Sequence, residues 1–120
     1  MRIPPNVMPA LITPFTAAGE LNEAAHRHNL ATLQTRGCRG FLVAGSTGEG
    51  PYLEAGERRQ LLAAAREELG SDPFLLGGIA GESVRQATAQ VAEVTEGGAD
   101  AVLVVTPTSM ARFFHGAVIL

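Results

Sequence analysis

The residues best suited to chemistry lie together at Gly45-Ser46-Thr47-Gly48-Glu49. Two adjacent hydroxyls sit between glycines that let a ligand approach the backbone closely, so successive N–H groups can form a nest for a small carboxylate or phosphate. The same five residues also suit a tight connecting turn whose hydroxyls satisfy only local backbone, and the pattern alone serves either role. Ser46, Thr47 and Gly48 are the residues expected to hold such an anion. Glu49, the one acid beside them, reads as a brace for the loop rather than a general acid or base.

Other residues offer less. His26 and His28 are two positions apart in a helical segment, so they point to different faces, share no metal ion and read as solvated. His115 lies in an apolar segment and reads as a packing or interface residue. Cys38 precedes a strand, at the opposite end from the loop, and reads as an inert thiol. Glu57 with Arg58 and Arg59, and Glu67 with Glu68, read as an ordinary charged helix face. All nine basic residues are arginines. Without a lysine, chemistry that needs a side-chain primary amine is closed to these 120 residues acting alone.

Composition sets the frame around this loop. The chain has 120 residues, 46% of them hydrophobic and 18% charged, enough to bury a core as one domain or as part of a larger one. A net charge of −3 with no basic run argues against nucleic acid and anionic lipid as partners. A single cysteine excludes an internal disulfide and a multi-thiolate metal site, which fits a reducing, cytoplasmic setting. The first nine residues hold one arginine and two adjacent prolines and do not read as a signal, and no stretch approaches the length of a membrane span.

Apolar runs and helical periods alternate along the chain. Residues 7–15 read as a buried strand ended by Thr13-Pro14, and Asn22 caps a helix that runs to Arg36 before Gly37. Residues 40–44 form a short strand leading into the Gly-Ser-Thr-Gly-Glu loop. Residues 54–69 then read as a helix with Leu61, Ala65 and Leu69 on one face and a stop at Gly70. A strand at 74–79 follows the Ser71-Asp72-Pro73 turn. Ser83 and Gln86 form a capping pattern for a third helix whose buried stripe is Val84, Ala87, Val91 and Val94. Gly97-Gly98 ends it, residues 101–105 form a fourth strand, and residues 113–120 look like the opening of another helix.

Strand centres near Leu11, Leu42, Leu76 and Leu103 are 31, 34 and 27 residues apart, with one helix in each interval. Such βα repeats imply parallel strands and right-handed crossovers, in either an open doubly wound sheet or a (β/α)8 TIM barrel. A period of about 30 residues suits the barrel, of which this chain would hold about the first four units. The chain stops inside an apolar pattern, so residues 1–120 are expected to form the N-terminal part of a single barrel domain, with a short complete product as the alternative.

Several segments together resemble the dihydrodipicolinate synthase and N-acetylneuraminate lyase family. They are Ala10-Leu-Ile-Thr-Pro-Phe15, Gly40-Phe-Leu-Val-Ala-Gly-Ser-Thr-Gly-Glu49, Glu57-Arg58, Gly98-Ala-Asp100 and Val104-Val-Thr-Pro107, and the resemblance covers nearly the whole chain in the family's order. It implies a homotetrameric (β/α)8-barrel lyase of the class I aldolase type. Such an enzyme binds pyruvate, or a 2-oxo acid that yields it, as a Schiff base on a lysine of a later strand, with no metal or organic cofactor. Ser46 and Thr47 match the positions that hold the pyruvate carboxylate, and the match to Ser46 also joins a proton relay with tyrosines in the synthase branch.

The chain departs from that branch in places. Thr108 and Ser109 stand where it has two tyrosines, and Glu82 and Val84 where it usually has asparagine and threonine. These departures favour an aldolase acting on 4-hydroxy-2-oxoglutarate or a sugar-derived 2-oxo acid over a true dihydrodipicolinate synthase. The family's Schiff-base lysine and proton-donor tyrosine would lie beyond Leu120. Two other readings stand beside this one. A flavodoxin-like module could cradle a nucleotide phosphate in the Gly-Ser-Thr-Gly loop, although that loop then usually follows the first strand. A truncated half-barrel would instead be inactive, and its open edges would leave it poorly soluble or oligomeric.

Overall fold

The computed structural model describes residues 1–107. The helix expected at 113–120, His115, and the departures at Thr108 and Ser109 lie outside the described residues. Three helices alternate with three parallel strands: α1 (Glu23–Thr35), β1 (Gly40–Val43), α2 (Glu57–Leu69), β2 (Phe74–Ile79), α3 (Val84–Glu96) and β3 (Ala101–Val104). A single 3-10 turn, Gly50–Tyr52, precedes α2. The strands lie in chain order, β1-β2-β3, with Leu42 opposite Leu76 and Gly77 opposite Val102. Among the described residues no neighbour is skipped and the sheet shows no reversal of the kind that a flavodoxin-like fold needs, so the arrangement is an arc of a (β/α)8 barrel.

The segment expected as the first strand is only partly one. It meets β1 through a single parallel bridge, Ala10 to Leu42, in which Leu11 N–H donates to the Leu42 carbonyl and Leu42 N–H to the Pro9 carbonyl, each at 3.0 Å. Pro9 and Pro14 have no N–H to extend the ladder, and Val7 is 80% exposed. The segment still occupies the edge of β1, where a first barrel strand belongs.

Capping follows local chemistry. The Asn22 side chain accepts from Ala25 N–H at α1, and the Ser83 hydroxyl accepts from Gln86 N–H at α3. The core lies between sheet and helices, built from Leu30, Phe41, Val43, Leu61, Leu62 and Leu75 with their neighbours. Two residues of the expected α3 stripe are not in it. Val84 is 85% exposed and Val91 is exposed too, because α3 meets α2 on one flank and the described residues place nothing on the other. Among the described residues no helix is long and apolar enough to cross a membrane.

At the amino end of the sheet Asp100 gathers three donors. Leu75 N–H and Arg66 Nη2 reach its Oδ2 at 2.8 and 2.9 Å, and Arg2 Nη1 reaches Oδ1 at 2.8 Å. Burial acts to raise the carboxyl, but the Leu75 N–H and the two guanidinium groups outweigh it and hold it below the usual carboxylate range. The network ties the N-terminal segment, α2, β2 and the start of β3 together.

His26 corrects the expectation of a solvated side chain. It is 1% exposed, with Nε2 at 3.0 Å from the Leu61 carbonyl of α2. Four residues before the buried Leu30, it shares that residue's face of α1. Burial pushes its pKa below the usual 6.5; Arg27 acts in the same direction, while the Leu61 carbonyl and Glu23 oppose it. The unfolded chain therefore binds a proton that folded His26 resists. The stability this confers is fully present above about pH 6.5 and is lost as pH falls through the folded value, with a slope of at most about 1.4 kcal/mol per pH unit. Urea melts across this range are expected to show the slope in the parent and a flatter profile in His26→Gln.

Candidate functional site

The carboxyl ends of β1, β2 and β3 surround a cavity of about 220 Å³, lined among others by Ser46, Thr47, Gly78, Glu82 and Thr106. Parallel α/β sheets bind ligands at this end. The loop after β1 shapes the cavity, and its form starts with Ala44. At φ +59 this residue adopts the left-handed region, as does Glu49 at φ +56. They are the only non-glycine residues to do so among those described, and both belong to the one loop.

The Ala44 carbonyl dictates two glycines. A Cβ on Gly50 would lie 2.2 Å from its oxygen, and one on Gly78 would lie 2.3 Å from it. Any side chain at either position would collide with backbone rather than with a movable side chain. The sequence pattern marks Gly50 and Gly78 only as glycines near a strand, and the close approach becomes visible with Ala44 in place.

Within the loop the carbonyls of Gly45, Ser46, Gly48, Glu49 and Gly50 are committed. Gly50 N–H donates to the Gly45 carbonyl at 3.0 Å, Glu49 N–H to Ser46 at 3.1 Å and Tyr52 N–H to Glu49 at 2.9 Å. Thr13 Oγ1 donates to the Gly48 carbonyl at 2.6 Å, and Thr13 is buried. The Gly50 carbonyl accepts from Leu53 N–H and from Arg58 Nη2. The donors are not committed: among the described residues no acceptor meets the N–H of Ser46, Thr47 or Gly48, or the hydroxyl of Ser46 or Thr47. A surface that spends most of its acceptors internally and keeps three adjacent N–H groups suits an anion.

The structure thus groups the three expected residues in one loop, with Ser46 and Thr47 exposed on the cavity wall and Gly48 buried behind them. Glu49 is exposed and shapes the loop through its backbone, while the side-chain brace comes from Thr13. Glu82, at the end of β2, joins the same cavity. Cys38 is half-buried against the core, in the turn before β1 and away from this end. No group of three His, Cys, Asp or Glu side chains among the described residues could hold a metal ion.

Arg58 corrects the expectation of a charged outer face on α2. It is 2% exposed, its Nη2 reaching Gly50 and its Nε reaching the Gly78 carbonyl at 3.3 Å. Burial pushes the guanidinium below its usual pKa, and the charges of Glu93 and Glu57 act in the opposite direction. Its spacing held the signal: Arg58 precedes Leu61, Leu62, Ala65 and Leu69 by 3, 4, 7 and 11 residues, on the buried face.

Known proteins resemble this chain in sequence and in fold. The Dihydrodipicolinate synthetase family profile matches residues 4–115. The 4-hydroxy-tetrahydrodipicolinate synthase of Synechococcus sp. (strain CC9605) is 39% identical over 84% of this chain, which corresponds to 33% of that protein. That of Methanothermobacter thermautotrophicus is 36% identical over 82% of this chain and 35% of its own length. A dihydrodipicolinate synthase family protein from Coccidioides immitis superposes with a TM-score of 0.79 at 30% identity, covering 85% of this chain and 33% of its own. N-acetylneuraminate lyase from Mycoplasma synoviae shares the fold, with a TM-score of 0.75 at 24% identity over 84% of this chain and 35% of its own. The chain spans about a third of the length of these proteins.

Two substitutions check the loop's geometry. Gly78→Ala is expected to lower stability by about 1–3 kcal/mol, the usual cost of overpacking, since backbone must move to admit the methyl group. Glu49→Gly, at an exposed left-handed position, is expected to raise stability by about 0.5–1 kcal/mol. Denaturant midpoints with unchanged slopes would report both effects.

Proposed function

The chain belongs to the Dihydrodipicolinate synthetase family, and from that premise we propose that it supplies the carboxylate-binding loop of a Schiff-base lyase acting on pyruvate or a 2-oxo acid that yields it. The observation that carries this reading is the asymmetry of the loop, most of whose carbonyls are spent internally while the N–H groups of Ser46, Thr47 and Gly48 stay uncommitted beside a cavity. A pyruvate carboxylate offers acceptors only, so it complements such a surface. Its 2-oxo carbon would then project across the cavity from the loop.

The amine that attacks this carbon comes from outside these 120 residues, which contain no lysine. Its lone pair forms the new carbon–nitrogen bond, and the oxo oxygen leaves as water. The resulting iminium accepts the electron pair released when the bond between its α-carbon and the next carbon breaks, or when a proton leaves the α-carbon before bond formation. The Ser46 hydroxyl both donates and accepts, so it can pass a proton without holding charge. Residues 1–120 then act as the N-terminal part of one barrel domain in a cytoplasmic homotetramer, and alone they are inactive. Glu82 on the cavity wall, together with Thr108 and Ser109 in sequence, favours 4-hydroxy-2-oxoglutarate or a sugar-derived 2-oxo acid as substrate over the synthase reaction.

Incubation of the natural gene product with pyruvate and borohydride, followed by intact-mass measurement, tests the proposal. One reduced pyruvate per chain is expected, on a product of roughly 250 residues or more. Thr47→Ala is expected to need about tenfold more pyruvate for half-labelling, through loss of hydrogen bonds to a charged group. A product of 12.5 kDa without an adduct would overturn the reading.

A further inference from the structure

The loop rests on a cation that never reaches the cavity. Arg58 lies in the first turn of α2, beneath the loop, and is absent from the cavity wall. Its two acceptors come from different parts of the site. Gly50 closes the loop after β1, and Gly78 stands one residue before the end of β2. These are also the two glycines packed against the Ala44 carbonyl. One guanidinium therefore spans the two backbone segments that hold the left-handed turn at Ala44.

We propose that Arg58 is the positioning residue of this loop: by bridging the Gly50 and Gly78 carbonyls it holds the backbone in the form that leaves the Ser46, Thr47 and Gly48 N–H groups for a carboxylate. The ligand part of this statement rests on the functional reading above, whereas the loop geometry does not. A guanidinium presents its donors in a rigid fork and carries no acceptor, so it can fix two carbonyls at once. A lysine ammonium would keep the charge but not the fork. Neighbouring Glu57 has other work, since its Oε2 accepts from Glu54 N–H at 2.8 Å and shapes the entry to α2.

The test compares Arg58→Lys and Arg58→Met in the natural gene product, with Leu69→Ala as a core control remote from the loop. Amide NMR of the free protein is read first. Both Arg58 variants are expected to shift the Ser46, Thr47 and Gly48 amide resonances and to speed hydrogen exchange at the Glu49 and Gly50 amides, which donate within the loop, while Leu69→Ala, though less stable, leaves the loop resonances in place. Pyruvate titration is read next, and a rise in Kd of about tenfold or more is expected for Arg58→Lys, in line with the loss of charge-assisted hydrogen bonds. Where Arg58→Met does not fold, the lysine variant decides. Loop amides unmoved in Arg58→Lys, or parental pyruvate affinity in that variant, would overturn the proposal. A parent that binds no pyruvate would instead defeat the functional reading, and the amide comparison would still judge the positioning role.

Discussion

The carboxyl end of the sheet depends on where the Ala44 carbonyl sits. Ala44 turns the chain out of β1 through the left-handed region, a conformation that costs a non-glycine residue about 1–2 kcal/mol. Such a turn persists only if its surroundings leave no alternative. Here Gly50 and Gly78 close on the carbonyl so tightly that neither can carry a side chain, Thr13 holds the Gly48 carbonyl, and the Gly45 carbonyl accepts from Gly50. Each constraint consumes a carbonyl or the space around one. The uncommitted N–H groups of Ser46, Thr47 and Gly48 follow from the way the turn is enforced.

The parts legible in the sequence were those with one dominant signal. The helices carried caps and glycine stops, and the two inner strands were short apolar runs between turn residues, so Asn22, Ser83, Gly70 and residues 74–79 fell where expected. Ser46-Thr47-Gly48 was legible as a loop because glycines flank its hydroxyls. Where the structure departs from expectation, position along the helix outweighs residue type. His26 and Arg58 are polar, yet each falls at helical spacing from buried leucines, and each is satisfied by a carbonyl in another part of the fold. Val84 and Val91 are apolar, yet period alone cannot supply the neighbour that would cover them. The N-terminal segment failed as a strand for a third reason, since its prolines remove donors that a regular ladder requires.

The two ends of the sheet divide the work in opposite ways. At the amino end, Asp100 accepts from a backbone amide and two guanidinium groups, and Arg66 also reaches the carbonyls of Gly98 and Pro73. Donors and acceptors there are matched within the chain, so little is left for a ligand. At the carboxyl end the matching is incomplete: most loop carbonyls are taken, the N–H groups of Ser46, Thr47 and Gly48 are spare, and the backbone carries the only left-handed non-glycine residues described. A parallel sheet makes this division natural, because its helices return every chain segment to the amino end through connections that need only be stable. The loops at the other end are then free to hold strain. Arg58 joins the two demands, since a charge buried at a cost in desolvation ties the Gly50 carbonyl of the strained loop to the Gly78 carbonyl of β2.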